Sequence, residues 1–295
     1  MGPNKPLEMS NILIVGVARN CAGSIKNDIV RIHHAFSSAV DIKWLIVESD
    51  SDDDTPEQLH MLKSRFDLEI IVCGRLRDKY PNRTERIAIC RNRYVKEIQG
   101  NKNYNSVDYI VVADLDGVNS RLRQQSVNSC WNYKLEWDAC FANQAAPYYD
   151  IWALRHKFWN PNDCYEQERQ LLTIGYDGYS SRNLSIYSKM LTIDKESAPI
   201  RVDSAFGGLA IYKKYLFINN YYEGLNSEGG EVCEHVSFNQ RVSVSACLAI
   251  LPNLINGGWN EHSKRSKSLN RLIIYLATRV FTKRDLQRLR GTFSR

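Results

Sequence analysis

Four runs of apolar residues set the plan of the first 118 positions. "NILIVGVA" (11–18), "IKWLIVES" (42–49), "LEIIVCG" (68–74) and "DYIVVADLD" (108–116) are short, rich in β-branched residues and free of polar alternation. Strands of that kind are covered on both faces, as in a mostly parallel sheet. Helical starts fall between them. Ser24 can cap a helix over about 25–37, and a third helix runs over about 84–99. Thr55, with Pro56 at the first helical position and Gln58 three residues after the cap, opens the second. The order β-α-β-α-β-α-β predicts an α/β fold with helices on both faces of the sheet. Later the pattern loosens. "DACFANQ" (138–144), "SAFGGLAIY" (204–212) and "CLAILPNLI" (247–255) read as strands, and 148–200 as helices and loops along one side of a cleft. No repeat and no linker is visible before about residue 263.

Composition narrows the class. A chain of 295 residues, 43% hydrophobic and 24% charged, has enough core for one large domain or two intimate ones. No run approaches the ~20 apolar residues of a spanning helix. "MGPNKPLEMS" lacks the apolar segment of an export signal, so a cytoplasmic location is expected. The eight cysteines form no Cys-x-x-Cys pair and read as core residues in a reducing compartment. The net charge of +6 is uneven, because residues 263–295 carry ten Lys/Arg against Asp285 alone, which leaves the body mildly acidic. That tail also places Leu269, Leu272, Ile273, Leu276 and Val280 at helical spacing. Two fates stay open for it: peripheral contact with an anionic bilayer on the inner face of a membrane, or ordinary packing on the main domain. An acidic body without a base-stacking module argues against nucleic acid.

Candidate chemistry gathers at the strand ends, where ligands of parallel sheets collect. Asp114 and Asp116 close the fourth strand. Two carboxylates so close repel unless a cation lies between them, and Mg²⁺ or Mn²⁺ held together with substrate phosphates satisfies both. The plain alternative is a turn, since Asp116-Gly117 is a turn signal. "RTERIAICRNR" carries Arg83, Arg86, Arg91 and Arg93 on the third helix, where guanidinium groups can pair with a carboxylate or a diphosphate. The acidic loop after strand two offers Glu48 and Asp50 to ribose hydroxyls. Gly16 and Gly23 do not make a Gly-x-Gly-x-x-Gly fingerprint, which argues against a dehydrogenase. Gly207 and Gly208 allow close backbone approach. Glu234 is a candidate general base beside His235, or else a first-turn acid favoured by the helix dipole. His262 follows a glycine turn and can complete a metal site.

Taken in order, "VARN", "IVESDSDDDT", "RIAICRN", "VVADLDGVN" and "FGGLAIY…CEHVSFN" resemble the nucleotide-sugar glycosyltransferases of the GT-A fold. The kin they suggest are the fungal capsule-associated mannosyltransferases and related bacterial and viral enzymes. The resemblance implies a GT-A domain over 1–262, with a nucleotide-binding half (11–118), an acceptor-binding half (119–262) and a separate basic segment (263–295). It implies metal-dependent transfer of a sugar, a hexose by expectation, from a UDP- or GDP-sugar to a glycan or lipid-linked acceptor in cell-surface polysaccharide synthesis. Asp116 would be the principal ligand of Mn²⁺ or Mg²⁺, Asp114 would lie near the ribose or the metal, and His262 would join them. Glu234 would be the base, although "CEH" departs from the commoner acidic pair. Arg19, Glu48 and Asp50 would lie along the nucleoside, and Arg86 and Arg91 near the diphosphate. In "PYYDIWALR", Trp152 would stack on a sugar while Asp150 and Arg155 bond hydroxyls; core packing of these aromatics is the alternative. Two rival readings remain: a nucleotidyltransferase, and a catalytically inactive sugar-nucleotide-binding module.

Overall fold

The computed structural model describes residues 4–264 and 266. The rest of the basic tail, with its expected amphipathic helix and bilayer contact, lies outside the described residues. Eight strands form one sheet: β1 (Asn11–Ala18), β2 (Asp41–Glu48), β3 (Leu68–Val72), β4 (Tyr109–Ala113), β5 (Ala139–Gln144), β6 (Ile200–Arg201), β7 (Leu209–Lys213) and β8 (Leu248–Gly257). Their spatial order is β3-β2-β1-β4-β7-β5-β8-β6. The helices are α1 (Ile25–Ala35), α2 (Thr55–Leu62), α3 (Arg83–Gly100), α4 (Gln124–Asn128), α5 (Cys164–Thr173), α6 (Gly178–Ser185), α7 (Glu234–Ser243) and α8 (Glu261–Lys264).

The α/β class holds, and the unalternating strands explain why. Successive side chains point to opposite faces, and both faces are covered. On one side Leu13, Val15, Ile110 and Val112 pack with Ala88, Tyr94 and Ile98 of α3 and with Phe238 of α7. On the other, Ile12, Ile14 and Val111 pack with Ile25, Ile29 and Ile32 of α1 and Leu59 of α2. Each such side chain contributes about 1.5–3 kcal/mol by leaving water. Six of the eight cysteines are buried, and all are free thiols.

The first four strands are wholly parallel, and the second half is mixed. β7 runs antiparallel to both β4 and β5, β5 pairs parallel with β8, and β6 closes the edge antiparallel to β8. The β5–β8 register shifts after Phe141, where β8 carries Pro252. Proline brings no N–H to the ladder, so the strand bulges there. Strand order reverses about β1, with β2 on one side and β4 on the other. Crevices outside the carboxyl ends of strands form at such switch points.

Candidate active site

A cleft of about 820 Å³ opens at the ends of β1, β2 and β4. Of the expected site residues, Arg19, Asp50, Arg86, Arg91, Asp114, Asp116, Asp150, Trp152, Glu234 and His262 line it. Contributions thus come from the loops after β1, β2 and β4, from α3, from the 149–153 loop, and from the starts of α7 and α8.

β4 ends at Ala113, so the paired acids stand in the loop beyond it. Asp114 donates its N–H to the Gly208 carbonyl at 3.0 Å, and its own carbonyl accepts from Asn119 Nδ2 at 2.8 Å. With its backbone pinned, its carboxylate faces the cleft. Asp116 Oδ1 accepts from the Val118 N–H at 3.2 Å across Gly117, whose φ is +92°. The Gly117 N–H in turn donates to Asp28 Oδ2 at 2.7 Å. The turn and the acid pair are therefore one feature.

Arg91 organises the floor. It is 2% exposed. Its Nε donates to Glu234 Oε1 at 3.1 Å, its Nη1 to the Tyr94 hydroxyl at 3.2 Å, and its Nη2 lies 3.6 Å from Asp114 Oδ1. The guanidinium packs over the rings of Phe206 and Tyr222, each 5.6 Å from the ring centre. It therefore joins the acid after β4 to the acid that opens α7. Arg86 is tied to the carbonyls of Tyr80 and Pro81 at 2.6 and 2.7 Å, with its Nε 3.9 Å from Asp50 Oδ2. Asp50 has φ +61° and accepts from the Arg77 N–H and the Ser49 hydroxyl. A non-glycine residue in that region costs on the order of 1–3 kcal/mol, a strain concentrated at the cleft.

Four expected residues stand off the lining. Glu48 is buried beneath its loop, where Oε1 caps the Ser51 N–H at 3.1 Å. Arg155 is buried against Asp163 at 2.9 Å and donates to the carbonyls of Trp152 and Leu154, so it braces the aromatic loop. Gly207 and Gly208 act from behind. A Cβ on Gly208, whose φ is +88°, would fall 2.6 Å from Val118 Cγ1. Their carbonyls are held by buried amides: Asn119 Nδ2 reaches Gly208, Asn256 Nδ2 and Gln144 Nε2 reach Gly207, and Asn256 Nδ2 also bonds Asn119 Oδ1. Sequence reasoning missed this network, although Asn119 ends the stretch that carries the acids. It also missed Asp28, a buried acid amid the apolar positions of α1.

The charge balance is lopsided. Burial at the cleft floor and the neighbouring Asp116 hold the Asp114 carboxyl well above the usual carboxylate range; Arg91 opposes this, and Asp150 and Glu234 add to it. Asp150 is raised as well, by burial, against hydrogen bonds from the Gly207 and Ala153 N–H groups. Burial, and then Arg91, push the His235 imidazole far below its ordinary range. Such a crowd of acids suits a hard cation. Yet among the described residues no three His, Cys, Asp or Glu side chains converge as a metal cage. The expected trio of Asp114, Asp116 and His262 is therefore not preassembled: the His262 ring stacks on Tyr149 at 5.8 Å. The donor set fits an ion held by two carboxylates and completed by substrate oxygens, the usual arrangement for Mg²⁺ with phosphates.

No protein-family model matches the sequence, and no curated protein does. Solved structures with a similar fold include Staphylococcus aureus TarS in complex with UDP-GlcNAc (10% identity, TM-score 0.48, covering 86% of this chain and 60% of that one). Others are the Pyrobaculum calidifontis mannosyltransferase PcManGT in complex with GDP-Man and Mn²⁺ (13%, 0.45, 84% and 56%) and the Mycobacterium tuberculosis glucosyl-3-phosphoglycerate synthase in complex with UDP (13%, 0.38, 89% and 75%). The chain spans about three-fifths of the length of the TarS structure. No helix among the described residues is long and apolar enough to cross a membrane.

Proposed function

We propose that the chain transfers a sugar from a UDP- or GDP-sugar to an acceptor hydroxyl, on a glycan or a lipid-linked carrier of cell-surface polysaccharide. The observation that carries this reading is the line Asp116, Asp114, Arg91, Glu234: two acids suited to a shared divalent ion, then one guanidinium, then a third acid on the cleft wall. Residues 11–118 would hold the nucleotide and 119–262 the acceptor, with 263–295 as the basic segment that can meet an anionic membrane.

Asp114 and Asp116 would hold Mn²⁺ or Mg²⁺ together with the donor's diphosphate. A bound divalent ion supplies charge stabilisation for the departing phosphate. The protein's own part follows from its placement of groups. Arg19 and Arg86 border the cleft and favour the negative charge that grows on the leaving diphosphate more than the charge already present in the ground state. Glu234 takes the proton of the attacking hydroxyl. Trp152 lines the cleft and would stack on the sugar while its indole N–H stays on Asp163 at 2.9 Å.

Calorimetric titration of UDP and GDP with Mn²⁺ tests the reading. Binding is expected for one of them and is lost with EDTA and in Asp116→Ala. Equal affinity in all three conditions rejects the shared ion. Slow hydrolysis of a sugar nucleotide, lost in Asp114→Asn, is expected too, whereas pyrophosphate release from a nucleoside triphosphate would instead favour nucleotidyl transfer.

A further inference from the structure

The two residues that open α7 are unequal in their partners. Glu234 is held by Arg91 Nε at 3.1 Å. His235, 4% exposed, has no hydrogen-bond partner on either ring nitrogen among the described residues. A buried polar group left unpaired keeps its full desolvation penalty. Its ring is stacked on Phe206 with centroids 3.6 Å apart, and Tyr222 meets it edge-on at 6.0 Å. The nearest charged oxygen is Glu234 Oε1, 3.7 Å from His235 Nε2, just beyond hydrogen-bond reach.

We infer that His235 is a positioning residue that accepts a hydrogen bond from Glu234 once that carboxyl has taken the acceptor's proton. This rests on the reading of Glu234 as the base. In the step, the hydroxyl oxygen bonds to the anomeric carbon and the hydroxyl proton passes to Glu234. The bond from that carbon to the diphosphate breaks, and the electron pair leaves with the nucleoside diphosphate. A charged carboxylate prefers Arg91, whereas a protonated one has an O–H to donate. Nε2 of the neutral tautomer with its proton on Nδ1 is the free acceptor beside it. A shift of under 1 Å closes the bond. Among the described residues, Arg91 from α3, Tyr222 from the loop before α7, and Glu234 itself are the charged or titratable groups that face His235. Arg91 disfavours a second cation there and keeps the imidazole ready to accept.

The test uses the full chain with Mn²⁺ and with UDP-glucose, UDP-GlcNAc and GDP-mannose in turn, water serving as acceptor. His235→Phe keeps a ring on Phe206 but offers no acceptor, and His235→Gln restores one. In His235→Phe, kcat should fall about a hundredfold, the low end for lost proton-transfer assistance. The acid limb of its pH profile should move to lower pH, because neutral Glu234 has lost its partner. His235→Gln should recover most of the rate, with UDP or GDP affinity unchanged in both variants. Wild-type rate and acid limb in His235→Phe, or equal losses in the two variants, overturn the inference alone. If the wild type hydrolyses no donor, the proposed reaction falls and the inference with it. Should His235→Phe fail to fold, His235→Leu makes the same comparison.

Discussion

Arg91→Met removes the guanidinium at the centre of the cleft floor and keeps an apolar stem of similar length. Arg91 is 2% exposed, and its charge answers Glu234 at 3.1 Å and Asp114 at 3.6 Å. Breaking a buried pair from one side costs about 3–5 kcal/mol, because the other charge stays buried and uncompensated. The Tyr94 bond adds about 1 kcal/mol but shares this network, so the losses do not sum. A net loss of about 4 kcal/mol is roughly three powers of ten in the folding constant, and a large part of a usual ~5–15 kcal/mol. The pH dependence fixes the cause. Without the cation, the folded-state pKa of Asp114, already raised from 3.8, rises further. A carboxyl raised on folding lends stability that is fully present below its unfolded value and lost as pH climbs through the folded one. The deficit of the variant is therefore smallest in acid, where Asp114 is neutral in both proteins, and grows as pH climbs through its folded value. Urea unfolding of both proteins at about pH 7.5 and about pH 5 measures it. A loss under about 1 kcal/mol, or equal deficits at the two values, would refute the electrostatic account.

Three further perturbations probe the supports. Asp28 is raised from 3.8 to about 6, chiefly by burial, while the Gly117 N–H opposes the shift. Its contribution is complete below about 3.8 and lost as pH rises through about 6, about 3 kcal/mol at ~1.4 per unit. Wild-type urea midpoints should therefore decline more steeply over that window than those of Asp28→Asn, and parallel curves count against it. Gly208→Ala forces a side chain into φ +88° with Val118 Cγ1 at 2.6 Å. It should lose about 2–3 kcal/mol and weaken UDP or GDP binding, and an unchanged melting curve would show that the Asp114 loop moves freely. Asn119→Ala frees the carbonyl of Asp114, takes one of two donors from the carbonyl of Gly208 and strips a partner from Asn256. About 1–3 kcal/mol should be lost in thermal unfolding, with Mn²⁺-dependent nucleotide affinity falling alongside; stability lost without affinity would separate the amides from the site.

The strands up to β4 were legible because burial on both faces leaves a plain mark, an apolar run without alternation. β7 and β5 carry the same mark, so their direction was not legible: an antiparallel strand buried on both faces looks like a parallel one. The site divides along a similar line. Asp114 and Asp116 could be found because two acids at a strand end are costly, and cost makes a pattern. Helical spacing placed Arg91 among guanidinium groups that can pair with a carboxylate or a diphosphate but said nothing of depth, and in the fold it lines the cleft as a strut between two acids. Arg155 and Glu48 stand off the lining, each bracing a loop, since charge alone does not separate a group that meets a ligand from one that holds a loop. The amides are the opposite case. Asn119, Gln144 and Asn256 carry no charge and sit in loop-like or strand-like text, yet they are the groups that fix Asp114 and the carbonyls of Gly207 and Gly208. Their signal exists only in three dimensions. Four strand ends must meet before any of those carbonyls needs a donor, because a buried carbonyl without one is what the fold cannot tolerate. The acids that would meet a substrate are thus written locally, while the parts that hold them still are written in the topology.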